Sequence, residues 1–308
     1  MRKLDNKGNV AIILCLVFTV LLGFTAYVVD IGLIYVEKVK LSNAIDSAVL
    51  AAILELPTDP IEAKDVATEY LEKNNVDPSK VSITISADNK SIEMVGIKTA
   101  DHFFAPIFGI DSSHVNAITK AIIAPVRSVK GGIRPFAVVN ENLSYGDVVT
   151  LKEGSGDTED TEDTEDAKKI GNYGSVALGG TGANVFRENA LYGYSGTLTV
   201  EDYIDTEPGN MAGVTNEIKN YINSECSSFN DFERNSIRLW TIPLVDSLNV
   251  NGRSEPLRVV GFAEFYVEAI TENKKGNQIQ GRFVKFVTNG EIDVTISDTG
   301  VYGSKLIK

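Results

Sequence analysis

The side chains that could do chemistry are few and do not converge in sequence. Only two histidines, His102 and His114, occur in 308 residues. Neither has the spacing of a metal ligand or of a base paired with a nucleophile. Gly193-Tyr-Ser195-Gly196 is one residue short of the Gly-x-Ser-x-Gly elbow that presents a nucleophilic serine. Gly179-Gly-Thr-Gly182 lacks the Lys and the strand-to-helix setting of a phosphate loop. Asp111-Ser-Ser113-His-Val115 begins like an Asp-x-Ser-x-Ser metal loop, but Val115 stands where the last hydroxyl is needed. Seven acids crowd the threefold Asp-Thr-Glu tract from Asp157 to Asp166. That tract has neither the ligand alternation nor the central Gly of a calcium loop, and its mutual repulsion predicts a solvated, disordered loop over 154–169. The reading is a non-enzymatic protein with no cofactor and no metal.

The elements that would have to position any site begin with the apolar run GNVAIILCLVFTVLLGFTAYVVD. Residues 8–29 carry no formal charge, and as a helix they would reach roughly 33 Å, the thickness of a bilayer core. A signal peptide has a shorter apolar region and a small-x-small cleavage site; a cut after Ala26 would put bulky Phe24 at the position that requires a small residue. The run therefore reads as a retained single-pass anchor. Arg2, Lys3 and Lys7 on one side, against the balanced Asp30, Glu37, Lys38 and Lys40 on the other, predict a cytoplasmic N-terminus and an extracytoplasmic bulk. The net charge of −13 argues against nucleic acid as a partner. Cys15 lies in the apolar run and Cys226 far outside it, so no intramolecular disulfide is expected.

The helix is expected to continue past the membrane to Leu56, because no proline occurs before Pro57 and Leu41, Ile45, Ala48, Val49, Ala52 and Leu56 recur at helical spacing. Asp30 marks where the anchor becomes an outward arm. Gly32, Ala44, Ala48, Ala51 and Ala52 on that arm would let another backbone approach closely, either of the chain's own outer region or of a second copy. Asp59-Pro60 reads as an N-cap and first turn of a further helix. Strands are expected at 81–86, 91–98 and 114–124, with a short apolar helix at 101–110 broken by Pro106 and Gly109. The fold class is α+β: a segment at 1–56, a small α+β unit at 57–126, a linker at 127–132, and a mostly β region at 131–308. In the last region the one expected helix covers 209–224, and 170–200 reads as turns and short strands. A hairpin is expected around 273–277.

Lys7-Gly-Asn-Val-Ala-Ile-Ile13, the run Leu21 to Gly32, Tyr35, and Leu41 to Ala52 together resemble the N-terminal segment of the TadE/TadG-like proteins of Flp (Tad) pilus assembly. The stretches Phe103 to Ile110 and Val115 to Ala121 are similar to TadG-type outer domains. The resemblance implies a membrane-anchored assembly factor or minor subunit, partnered by other Tad/Flp assembly proteins or pilins and able to self-associate through the Ala-rich helix. A stand-alone cell-surface adhesin on the same anchor is the alternative. Processed members carry a Gly before the cleavage point and a Glu five residues beyond it. Gly8 and Asn9 would form that junction here, but Ile13 occupies the Glu position, which implies an unprocessed anchor and places the chain outside the pilus shaft, where that acid pairs with a neighbour's N-terminus.

Overall fold

The computed structural model describes residues 7–140, 143, 145–153, 169–207, 212–248, 256–273 and 276–307. The fold is α+β: among the described residues there are one long apolar helix, three further α-helices and a predominance of strands in the C-terminal two thirds. The chain divides into two compact units. The first holds residues 1–55, 59–122 and 306–308, and the second residues 56–58 and 123–305. Of the loop expected at 154–169, residues 154–168 lie outside the described residues and Lys169 opens a strand.

The first unit is organised by α1, Lys7–Ala52, 46 residues and about 70 Å of unbroken helix. A 3-10 turn, Ile53–Glu55, closes it. The three-and-four spacing of the arm has a direct structural counterpart: Leu41, Ile45, Ala48, Val49 and Ala52 are all buried. They pack on α2 (Pro60–Lys73) and on β2 (Ser91–Asp101). The Asp59 carboxylate accepts the N–H groups of Ile61 and Glu62 at 3.0 and 2.9 Å, and Pro60 fills the first turn, where a missing N–H costs nothing. Ala63, Ala67 and Leu71 form the buried stripe of α2.

β1 (Val81–Ile85), β2 and the first half of β3 (Ser112–Lys130) form an antiparallel meander. Ile92, Met94 and Gly96 alternate inward along β2. Gly96 lies where the arm crosses closest; a Cβ there would stand 2.5 Å from Ile45 Cδ1 and 3.3 Å from Leu41 Cδ1. The Asp46 carboxylate accepts the Thr119 hydroxyl of β3 at 2.6 Å, and Glu37 pairs with Lys40 at 2.8 Å and with Lys98 of β2 at 2.7 Å. The arm thus lies on the chain's own sheet through an apolar stripe with polar contacts along its border.

The second unit is built from β4 (Phe136–Val139), β5 (Val148–Glu153), β6 (Lys169–Ala177), α3 (Ala183–Tyr192), β7 (Thr197–Thr199), β8 (Tyr203–Thr206), α4 (Ala212–Ile222), β9 (Leu239–Val245), β10 (Leu257–Asn273) and β11 (Gly276–Val284). Three short strands follow: β12 (Phe286–Val287), β13 (Gly290–Ile292) and β14 (Val301–Ile307). Pairing runs β11-β5-β6-β4-β9-β10, and β10 also pairs with β11. Among the described residues the hydrogen-bond ladder therefore closes on itself, and β8 pairs with both β10 and β6. The β5–β6 and β4–β9 pairs are parallel and the others antiparallel. Trp240 stacks on Phe136 with centroids 5.2 Å apart in a core that also takes Phe265, Phe283 and the buried faces of α3 and α4.

Three expectations differ from what is observed. The linker at 127–132 is largely strand, since β3 runs to Lys130 and pairs there with β7 and β13; Val126 and Val129 are buried, so the apolar pattern continues across the expected boundary. Within 170–200, α3 replaces turns and short strands: Phe186, Asn189 and Ala190 are buried at helical spacing, masked in sequence by the surrounding Gly and Asn. At 101–110 the helix is only a 3-10 turn, Ala105–Phe108, and Pro106 lies in its first turn instead of breaking it. The helix expected at 209–224 is present as α4, described over Ala212–Ile222, with residues 208–211 outside the described set. The hairpin at 273–277 is present as the β10–β11 pair, with Asn273 opposite Gly276.

Candidate functional site

The first functional feature is the surface of α1 itself. Its large apolar side chains from Val10 to Val29, among them Leu16, Phe18, Leu22, Phe24 and Tyr27, are exposed. An exposed apolar surface of this size marks a membrane or protein interaction site. The two threonine hydroxyls in this stretch are satisfied within the helix: Thr19 donates to the carbonyl of Cys15 at 2.8 Å and Thr25 to that of Leu21 at 2.9 Å. Among the described residues one helix is long and apolar enough to cross a membrane, consistent with a single-pass anchor. Gly8 and Asn9 lie in its first turns.

The second feature begins where the uncharged run ends. Asp30 is only 5% exposed, and a buried carboxylate must be hydrogen-bonded or neutralised. Its partners are three consecutive backbone N–H groups, 73 to 75 residues away. Phe103 N–H donates to Oδ1 at 2.7 Å, Phe104 N–H to Oδ1 at 3.0 Å and Oδ2 at 3.2 Å, and Ala105 N–H to Oδ2 at 2.7 Å. Asp30 thus caps the 3-10 turn at Ala105–Phe108 from another element, and bonds from a charged acceptor are among the stronger ones. The β2–β3 connection is thereby fastened to α1 one residue beyond the apolar run.

His102 and Ser113 complete this neighbourhood. His102 Nε2 lies 2.8 Å from Ser113 Oγ, and Nδ1 lies 3.9 Å from Asp30 Oδ2. An acid, an imidazole and a hydroxyl in that order resemble a nucleophilic relay, yet the geometry does not operate one. The Asp30 oxygens are committed to backbone donors, and Nδ1 stands beyond hydrogen-bond distance, so the carboxylate cannot orient the ring. The three residues form a structural clasp. Asp30 could be singled out from the sequence as the end of the uncharged run, but nothing local marks Phe103 to Ala105 as its partners. His114 belongs to a separate contact, with Nδ1 3.3 Å from Thr99 Oγ1.

The small residues of the arm take different places. Ala44, Ala48 and Ala52 are buried in the face that meets α2 and β2, whereas Ala51 is half-buried. Gly32 is exposed, with open space where a Cβ would stand.

If Asp30 is the clasp, Asp30→Ala strands three donors at once. Unsatisfied buried donors are costly, so amide exchange at Phe103, Phe104 and Ala105 is expected to quicken on the order of tenfold. Exchange across 41–52 should stay as in the parent, which separates a local release from general unfolding. Equal protection in the variant at all of these positions would show that the three bonds do not hold the connection.

No curated protein and no solved structure matches the chain. Residues 8–63 do match a family model, and the matched stretch takes in the exposed apolar part of α1, Asp30, the buried face of the arm and the capped first turn of α2. The model is that of Tad, the putative Flp pilus-assembly TadE/G-like segment. The N-terminal fifth of the chain thus carries the Tad segment, which supports a structural role among pilus-assembly components.

Proposed function

We propose that this protein is a non-enzymatic, single-pass component of Flp pilus assembly, with its N-terminus cytoplasmic and the bulk of the chain after Asp30 outside. It acts as an assembly factor or minor subunit and not as the repeating subunit of the shaft. The observation that carries this reading is the occupied face of the arm. Leu41, Ala44, Ile45, Ala48 and Ala52 are already covered by α2 and β2, so the face that would pack among neighbouring helices in a shaft is committed within the chain. Ile13 adds to it, since an apolar residue cannot supply the charge that pairs with a neighbouring N-terminus inside a helical bundle.

N-terminal sequencing of protein from membrane and sheared-pilus fractions tests the proposal, alongside counting of pili in a deletion strain. The expected result is an intact N-terminus in the membrane fraction, at most a trace in sheared pili, and loss of pili on deletion. An abundant species starting at Asn9 in the sheared fraction would make the chain a shaft subunit. Normal pili with lost surface attachment would make it a stand-alone adhesin.

A further inference from the structure

The connection fastened by Asp30 presents an apolar tip that nothing in its own unit covers. Phe103 is 71% exposed, Ile107 81%, Phe108 83% and Ile110 55%. The tip has a set shape. Gly109 takes a left-handed conformation (φ +78°) that closes the 3-10 turn, Gly109 N–H donates to the Pro106 carbonyl at 3.0 Å, and the Phe103 and Phe104 rings meet edge to face at 4.8 Å. Its base is polar, with Asp101 and Asp111 exposed on either side and His102 N–H bonded to the Asp111 carbonyl at 2.9 Å. A preformed apolar tip on a charged base has the form of an element that enters an interface to a limited depth.

Its position names the occupant. The clasp places the tip beside residue 30 of α1, and the apolar stretch from Asn9 to Val29 accounts for roughly 31 Å of helix, one bilayer core. The loop therefore stands at the level where hydrocarbon gives way to headgroups. The lipid-facing surface of α1, with Phe24, Tyr27 and Val28 exposed, runs up to the clasp. From the loop, β2 leads outward along the arm, since Asp101 precedes the clasp at Asp30 while Gly96 lies by Leu41 and Ile45.

We propose that the 103–110 loop is a second membrane contact, its Phe and Ile side chains seated in the outer-leaflet interface next to the anchor. Together with α1 it holds the first unit to the bilayer at two points, so that the arm cannot swivel freely about its exit. The proposal rests on the reading of α1 as a membrane anchor and not on a role in pili.

The test uses the full chain reconstituted into vesicles of phosphatidylcholine and phosphatidylglycerol, with an environment-sensitive fluorophore on one cysteine at a time. Native Cys15, in a Cys226→Ser background, reports the anchor. Phe108→Cys and Ile107→Cys, with both native cysteines replaced by Ser, report the loop. Thr84→Cys is the control: it is exposed and lies opposite Glu93, roughly 26 Å along the hairpin from Asp101. Lipids carrying a doxyl group near the top of the acyl chain are expected to quench labels at 107 and 108 about twofold, matching shallow insertion. The same lipids should leave 84 unaffected, and doxyl groups deep in the chain should quench Cys15. Quenching at 107 and 108 no greater than at 84, with Cys15 quenched, overturns the loop contact alone. A loop signal that ignores doxyl lipids and grows with protein density assigns the tip to a second copy and overturns the proposal. An unquenched Cys15 removes the anchor reading, and the loop contact falls with it.

Discussion

Ile45→Asp is expected to cost on the order of 4 kcal/mol and to open the first unit along its length. Ile45 is fully buried at the closest crossing of the arm over β2, where it faces Gly96. A carboxylate there loses its water and finds an apolar neighbourhood, and an unpaired buried ion carries a penalty of several kcal/mol. Its neighbour Asp46 avoids this by pointing to the Thr119 hydroxyl at 2.6 Å. The conservative Ile45→Val should cost only about 1 kcal/mol, because it removes one methylene without adding charge. Amide exchange at 41–52, 63–71 and 92–96 in the detergent-solubilised full chain distinguishes the two. The expected result is loss of protection at all three stretches in the Asp variant and near-parent protection in the Val variant. Full protection in the Asp variant would mean that the arm is not held by this face, and the argument against shaft packing would fall with it.

The second large effect concerns pH and the closed sheet of the second unit. Glu264 of β10 stands directly opposite Thr241 of β9, accepts its hydroxyl, and is only 2% exposed. Burial pushes its carboxyl up to about 7, against the opposing pull of the Thr241 hydrogen bond and the Arg134 charge. Arg134, itself buried with Nη1 donating to the Ala190 carbonyl at 2.9 Å, is drawn by burial down to about 10 and so keeps its charge at neutral pH. A carboxyl whose native value lies above its unfolded value of about 4.3 holds its proton more tightly when folded. Its contribution to stability is therefore complete below about pH 4 and is lost as pH rises through 7. The loss amounts to roughly 4 kcal/mol at most.

Chemical unfolding followed by the fluorescence of Trp240, the single tryptophan and a core residue of this unit, reads the effect between pH 5 and 8. Glu264→Gln should flatten the dependence, since the amide keeps a neutral hydrogen-bonding group of the same shape at every pH. An unchanged slope in the Gln variant would move the titration to another group.

The extent to which the sequence revealed this protein follows the range of the forces involved. Within one or two turns the reading is direct. Asp59-Pro60 caps α2 because the carboxylate and the orphan N–H groups lie two and three residues apart. The arm's stripe is legible because helical periodicity is a local property. The same holds for the hairpin at 273–277, whose strands are joined by a few residues. Legibility fails where composition hides a short-range pattern, as in α3, or where an apolar alternation runs across an apparent boundary, as in β3. It fails again where a residue's partner lies on another element. Nothing near Glu264 in sequence indicates that it will be buried opposite Thr241, with Arg134 the nearest source of compensating charge.

By itself the sequence determined the length of the apolar run, its uncharged span against a bilayer, the buried face of the arm and the resemblance to the Tad segment, because each is carried by residue type at fixed local spacing. Only the tertiary structure decided that this face is occupied by α2 and β2 and that strands 4, 5, 6, 9, 10 and 11 close into one ladder. It also decided that Asp30 receives the N–H groups of Phe103, Phe104 and Ala105. A carboxylate at the end of an apolar helix requires donors, but the chain chooses among all the donors it can bring there. That choice is made by the packing of a hairpin more than seventy residues downstream.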